Sequence, residues 1–410
     1  MTARAVLGTF LTLAGAFLNV PIALGLGLVL VGFEVLRFAW VRRGLRGVGH
    51  RRSMGSSRVA WGEMTQLVIE VWNRSRLPIS WLRVDESLSS DVLVRGRDLV
   101  PGELGDMTLR NTWSLGPREL VRRTLEIGGT GRGVYEIGPT SITAGDLFAL
   151  PVADGFWPAV DRFVVWPRVV PSGATDRRDR WGGVDRSRTG LSEDPSRFVG
   201  VRAYAPGDPV RRIHARASAR LGQPMTKRFE PSRDRDLLLV VDLERPTSRF
   251  DNWDIDEDEA PEALIVIAAS IVRSLGEQHA AFGIAAAGYS GAASRLAYLP
   301  VSHAPGQLER GLDLLARLSA EPSAPFARLT ALVGRAVGEA TTVVVLTARD
   351  TRELLQPLRS LQRRGLTVRI LAAGSAGPGA AARARSAGIP AEVVDLDGPW
   401  RTASSVLVMA

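Results

Sequence analysis

Residues 236–242 read Asp236, Leu237, Leu238, Leu239, Val240, Val241, Asp242. A continuous apolar run closed by an acid suits a parallel strand buried on both faces, because hydrophobic alternation disappears when neither face meets water. A helix over 262–278 follows, with Leu264, Ile267, Ile271 and Leu275 on one face. Pro261 suits its first turn, and the acids before it suit its dipole. Further on come a strand over 281–287 and a short neighbour over 295–299. One helix then carries Leu308, Leu312, Leu315 and Leu318, and another carries Phe326, Leu329, Leu332 and Val337. Residues 342–347 form a second uninterrupted apolar strand. A helix over 351–364 shows Leu354, Leu358 and Leu361, and strands over 366–371 and 392–395 close the pattern. Such alternation predicts a doubly wound α/β domain over 236–410, with helices on both faces of the sheet. Ligands of such sheets sit at the carboxyl ends of the strands, which directs attention to Asp242.

Upstream, residues 58–170 have period two instead. Residues 66–72, 79–84, 107–113, 120–127, 135–137, 141–143 and 163–166 read as strands separated by turn residues. About seven short strands predict an immunoglobulin-like β-sandwich, without the Cys…Trp…Cys spacing of a true immunoglobulin domain. The glycine-rich run 128–133 is not GxGxxG and opens no helix, so it reads as a turn and not a phosphate loop.

Residues 5–40 are nearly free of charge, with Glu34 and Arg37 the interruptions. As one helix they would run about 54 Å, too long for a bilayer core of about 30 Å. The break falls at Asn19-Val20-Pro21, since proline disfavours helix in the residue before it. A transmembrane hairpin over 1–42 is expected, with helices over 4–18 and 21–40. Arg4 precedes the first helix, and Arg42, Arg43, Arg46, Arg51 and Arg52 follow the second. Both ends are therefore expected in the cytoplasm of a bacterial cell, the hairpin in its inner membrane, and the downstream arginines against anionic headgroups. Glu34 and Arg37 can pair or snorkel. Ala14-Gly15-Ala16 also fits a signal-peptide cleavage site, in which case the apolar residues that follow act as a stop-transfer helix.

The chain has 410 residues and a formal net charge of +9. It has no cysteine, which excludes disulfides, thiolate metal centres and a cysteine nucleophile. The four histidines, His50, His214, His279 and His303, have no metal-ligand spacing. Nearly all the positive charge is arginine, dispersed and not interleaved with aromatic residues, which argues against specific nucleic-acid binding. Residues 171–235 form an arginine-rich connector with little periodicity. Within it, Pro206-Gly207-Asp208-Pro209 is a turn in which proline presets φ, glycine permits positive φ and aspartate accepts a backbone N–H.

The stretch Arg202-x-Tyr204-x-Pro206-Gly207-Asp208-x-x-Arg211-x-Ile213-His214, then Ser218-Ala219-Arg220, then Met225-x-x-x-Phe229-Glu230, resembles the signature of the bacterial domain-of-unknown-function 58 family. The family usually has tryptophan where Ala215 stands. The resemblance implies an N-terminal membrane hairpin, a β-rich region, this signature segment, and a von Willebrand factor type A-like α/β domain. It also implies a MoxR-type AAA ATPase as partner. Tyr204, Pro206, Gly207, Asp208, Arg211, Arg212, His214, Ser218 and Arg220 are the partner-binding candidates, with the arginines pairing carboxylates. A von Willebrand-like metal site would use Asp-x-Ser-x-Ser after the first strand. Here the stretch reads Asp242-Leu243-Glu244-Arg245-Pro246, and Thr347-Ala348 stands where a Thr-Asp pair is expected. Asp242 is left as the metal ligand of a degenerate site, with Glu244 able to add a second oxygen to a divalent cation.

Other motifs fail on inspection. Residues 251–259 are acidic, but an EF-hand would need glycine at Glu259 and glutamate at Ile265. Gly288-Tyr289-Ser290-Gly291-Ala292 approximates a nucleophile elbow, yet no acid lies between Ser290 and His303. Residues 377–382 match GxGxxA, with Asp395 and Asp397 downstream, in an Ala/Gly-rich context that favours a plain loop. The expectation is a membrane-anchored, non-catalytic adaptor or assembly factor with no resident cofactor beyond a possible divalent cation. The alternative is an enzyme, or a metal- or nucleotide-binding domain, with its site near Asp242.

Overall fold

The computed structural model describes residues 3–102, 105–145, 151–171, 193–205, 213–231, 236–244, 259–288, 296–319, 324–338, 341–350, 352–374 and 376–409. The chain divides into two compact units, Met1–Trp166 and Pro167–Ala410.

The first unit begins with helices α1 (Ala3–Phe17) and α2 (Pro21–Leu45). Their break lies at the expected place: Asn19 has φ 51°, and Val20 is extended before Pro21. The helices touch through glycine. A Cβ on Gly15 would stand 2.4 Å from the backbone nitrogen of Leu24, and one on Gly27 the same distance from that of Thr12. Of the two expected spans, only α2 is long and apolar enough to cross a membrane by length and composition; α1 has 15 residues.

Helix α2 also runs past residue 40, because its last turns belong to the core of the first unit. Val41 is buried there, the Trp40 indole donates to the Pro78 carbonyl at 3.2 Å, and Gly44 lies against Ile79.

Among the described residues eleven strands follow: β1 (Val48–Met54), β2 (Arg58–Val59), β3 (Thr65–Asn73), β4 (Ile79–Leu88), β5 (Val92–Val94), β6 (Val100–Pro101), β7 (Met107–Leu115), β8 (Leu120–Gly129), β9 (Gly133–Gly145), β10 (Pro151–Trp157) and β11 (Asp161–Val165). One sheet has the order β1-β3-β8-β5. The other runs β2-β11-β9-β4-β7-β6, with β10 also paired to β9. The two sheets share one core, in which Leu67, Ile69 and Val71 of the first meet Leu82, Val84, Leu109 and Ile137 of the second. Strand β3 buries every second residue, as its period requires. The segments 135–137 and 141–143, expected as separate strands, are one strand, β9. Strand β1 was not expected, because His50-Arg51-Arg52-Ser53 has no apolar alternation. It pairs with β3, placing Arg52 opposite Ile69.

In the second unit, the described residues within 171–235 carry regular structure where an aperiodic connector was expected. Strands β12 (Glu193–Ala203) and β13 (Met225–Pro231) pair antiparallel, with the short helix α3 (Ala215–Leu221) between them. Then come β14 (Leu237–Val241), α4 (Ala260–Glu277), β15 (Phe282–Ala287), β16 (Leu296–Ser302), α5 (Gln307–Ala316), α6 (Phe326–Ala336), β17 (Thr342–Thr347), α7 (Arg352–Arg363), β18 (Thr367–Ala373), α8 (Gly377–Ser386), β19 (Ala391–Leu396) and β20 (Val406–Met409).

The strand order is β16-β15-β14-β17-β18-β19-β20. The five inner strands are parallel, and the two edge strands are antiparallel to their neighbours. Both central strands, β14 and β17, are buried along their whole length. Leu238 and Val240 point to the face covered by α6, α7 and α8, and α4 packs on the sheet together with α5. Strand order reverses between β14 and β17, so the crevice outside their carboxyl ends is the topological switch point of the sheet. Residues 377–382 lie inside α8, so the GxGxxA match is a helix and not a phosphate-binding turn.

Candidate functional site

Asp242 follows β14 at the switch point and is 2% exposed. Its backbone N–H donates to the Leu346 carbonyl at 2.9 Å, which ties it to the end of β17. Two residues beyond β17, Arg349 turns its side chain back onto it. Arg349 Nε donates to Asp242 Oδ2 at 2.9 Å and Nη2 to Oδ1 at 3.3 Å, and Thr347 Oγ1 donates to Oδ2 at 2.8 Å. The third nitrogen, Nη1, reaches Glu244 Oε2 at 2.5 Å and Glu353 Oε2 at 3.3 Å. Arg349 is only 5% exposed, and its guanidinium lies 5.9 Å from the Phe326 ring centre.

Glu244 has a second task. Its Oε1 accepts the backbone N–H of Phe326, the first residue of α6, at 2.5 Å. One of the orphan donors of that helix is satisfied in this way. Burial pushes the Asp242 carboxyl above the ordinary carboxylate range, against the charge and hydrogen bonds of Arg349 and the Thr347 hydroxyl.

A divalent cation is expected beside Asp242 from the sequence, and the residues present do not fit one. Every guanidinium nitrogen is committed to a carboxylate, and both Asp242 oxygens are occupied by protein donors. Asp242, expected as a metal ligand, is instead the counter-ion of Arg349. Among the described residues no group of three or more His, Cys, Asp or Glu side chains could hold a metal ion. Asp242 and Glu244 were visible as candidates in the sequence, and Thr347 only as the residue before the missing acid. Arg349 and Glu353 were not. The signal for Arg349 was slight: a cation stands two residues beyond the Thr347-Ala348 position that lacks its acid.

The signature segment is brought together in part. Pro206, Gly207, Asp208, Arg211 and Arg212 lie outside the described residues, as do Ser290 and residues 251–258 of the acidic loop. The Tyr204 N–H donates to the Pro224 carbonyl at 2.9 Å. His214 caps α3: its Nδ1 accepts from the Ala217 N–H at 3.1 Å, and its carbonyl accepts from Ser218 Oγ at 3.0 Å. Ser218 Oγ in turn accepts the Met225 N–H at 2.8 Å, fastening the helix to β13. His214 and Ser218 therefore shape the segment through its backbone, while Arg220 is exposed at the end of α3.

The first unit holds a second buried ionic group that the sequence did not reveal. Glu86 is fully buried. It meets His50 Nε2 at 2.6 Å and accepts from Arg52 Nη1 at 2.8 Å and from Thr140 Oγ1 at 2.5 Å. Arg52 also pairs with Asp161 at 2.9 Å, and the His50 ring stacks on Trp157 with centroids 4.8 Å apart. Arg52 is thus an internal structural cation and not a headgroup contact, while Arg51 is exposed. Burial pushes the Glu86 carboxyl up, but the His50 hydrogen bond and charge, then Thr140 and Arg52, outweigh it and hold the group below its ordinary value.

The chain thus joins an apolar helix, a two-sheet β unit and a parallel-sheet α/β unit whose switch point is closed by an internal ion cluster. Residues 200–373 match the family model described as protein of unknown function DUF58. It is 25% identical over 245 residues to the uncharacterized protein YeaD of Bacillus subtilis (strain 168), covering 60% of this chain and 57% of that protein. Among solved structures, the CARDB domain of the PF1109 protein from Pyrococcus furiosus aligns at 15% identity with a TM-score of 0.21, over 29% of this chain and 86% of that one. Native alpha-2-macroglobulin from Escherichia coli aligns at 18% identity and 0.22, over 30% of this chain and 17% of that one. At these scores neither likeness bears on function.

Proposed function

We propose that the chain is a bacterial inner-membrane, non-catalytic adaptor or assembly factor, with its folded units in the cytoplasm and a MoxR-type AAA ATPase among its protein partners. The observation that carries this reading is the closed switch point. Where an α/β enzyme would hold substrate, this chain has a guanidinium saturated by Asp242, Glu244 and Glu353. Anchoring is supported by apolar side chains of α1 and α2 left on the outside, Phe17 at 90% and Ile22 at 84% exposed. A sheet order with its third strand antiparallel at one edge supports a von Willebrand type A-like unit that binds protein. Two sheets around one core support an immunoglobulin-like sandwich upstream.

The test is co-expression of the full chain with the MoxR-type ATPase of its own genome, followed by detergent extraction. Co-purification, lost in Asp208→Ala and Arg212→Ala variants that still fold, supports the reading. Failure to co-purify, or turnover of a substrate by the purified chain alone, overturns it. Protease added outside intact cells tests orientation: digestion of the folded units overturns the cytoplasmic placement.

A further inference from the structure

We propose that the guanidinium of Arg349 is the resident cation of the strand-end site, standing where a related α/β domain would bind a divalent metal, so that this domain holds its loops together without metal. This rests on the same closed switch point as the adaptor reading, but its test reads metal uptake and thermal midpoint whereas that reading is tested by co-purification, so the two fail separately.

The placement is specific. Arg349 comes from the loop after β17 and meets the carboxylate that follows β14, in the crevice where the strand order reverses. Its charge is surrounded by oxygen in the manner of a hard cation: two oxygens of Asp242, one of Glu244 and one of Glu353. A metal ligated by Asp242 would have to occupy the volume that the guanidinium fills.

The chemistry of the substitution is also definite. An arginine side chain stays protonated at any pH a protein meets, so this cation cannot be chelated, exchanged or titrated away. Its planar fork takes a carboxylate through two nitrogens at once, which a point charge cannot do. The result is a permanent tie among four pieces of chain. Asp242 anchors the end of β14, Thr347 the end of β17, Glu244 the start of α6 through Phe326, and Glu353 the first turn of α7. In a metal-dependent site these pieces would be free to rearrange as the ion comes and goes. Here they are set when the chain folds.

The experiment uses the full chain in detergent and Mn2+ as the probe, read by loss of the free-ion electron paramagnetic resonance signal and by the thermal midpoint. Wild type is expected to take up no Mn2+ dependent on Asp242, and its midpoint should not move with EDTA or with excess Mn2+. Arg349→Ala, which leaves the buried Asp242 carboxylate without its counter-ion, is expected to lower the thermal midpoint equally in EDTA and in Mn2+. Uptake by wild type that disappears in Asp242→Asn overturns the proposal, as does a midpoint lowered by EDTA. A folded Arg349→Ala chain whose midpoint equals that of wild type also overturns it. Should that variant not fold, the wild-type titration against Asp242→Asn decides.

Discussion

Arg349 and Asp242, 107 residues apart in the chain, form a two-nitrogen, two-oxygen ion pair at 2.9 and 3.3 Å between the ends of two adjacent parallel strands. Both are almost wholly removed from solvent. Burying two charges costs several kcal/mol each, and a pair of this kind is held by its geometry and its additional hydrogen bonds. Thr347, Glu244 and Glu353 supply those here.

Removing one partner leaves the other buried and unpaired. Asp242→Asn should therefore destabilise the second unit by about 3 kcal/mol in urea titrations. The double variant Asp242→Asn with Arg349→Met should recover most of that loss, because no charge is then stranded. Equal losses in the single and double variants would show that the pair is not coupled.

The Glu86 group gives a pH dependence of defined sign. Its carboxyl is held below the ordinary value of 4.5, so it releases its proton more readily in the folded than in the unfolded chain. The stability it contributes is present above that value and is lost as pH falls below it, through the folded pKa. The expected outcome is an acid unfolding limb that Glu86→Gln flattens, at the cost of lower stability at neutral pH, where Arg52 and His50 lose their partner. Urea midpoints across pH 3–7 measure both effects, the pH range being of the order set by carboxylate titration.

Tyr135 closes the turn between β8 and β9 by accepting the Gly131 N–H at 3.1 Å and donating to the Gly131 carbonyl at 2.7 Å. Tyr135→Phe should cost about 1 kcal/mol and speed hydrogen exchange at the Gly131 amide. Gly129→Ala should cost more, since its Cβ would stand 2.4 Å from the Tyr135 ring.

Gly27 sets how closely α1 and α2 approach. By helix propensity alone, Gly27→Leu would favour α2 by up to about 1 kcal/mol. The Thr12 backbone 2.4 Å from the would-be Cβ reverses that preference. The expected outcome in detergent micelles is faster exchange of α1 amides in the variant. Unchanged exchange would mean that the helices do not rely on this contact.

Ser218→Ala removes the acceptor of the Met225 N–H. A loss of about 1 kcal/mol is expected, with faster exchange at Met225. Arg220→Ala, at an exposed position on the same helix, should leave stability within about 0.5 kcal/mol.

What could be read from residue order was the local part of the fold. The apolar runs at Leu237–Val241 and Thr342–Thr347 announced central strands, the Leu354, Leu358 and Leu361 spacing announced α7, and Asn19-Val20-Pro21 announced the helix break. These signals are periodic or steric and lie within a few residues of one another. Strand β1 escaped notice because His50 and Arg52 stand between Val48 and Met54 on its inward face. Glu86 of β4, together with Asp161 of β11 on Arg52, makes their burial tolerable. Asp242 was identifiable as a site residue by its place at a strand end. Whether it would receive a metal ion or a guanidinium depended on a side chain more than a hundred residues away. Periodicity specifies which face of an element is buried. Which charges meet in the interior is decided when parallel strands align side by side, because a buried ion is stable only where the tertiary structure supplies its counter-ion.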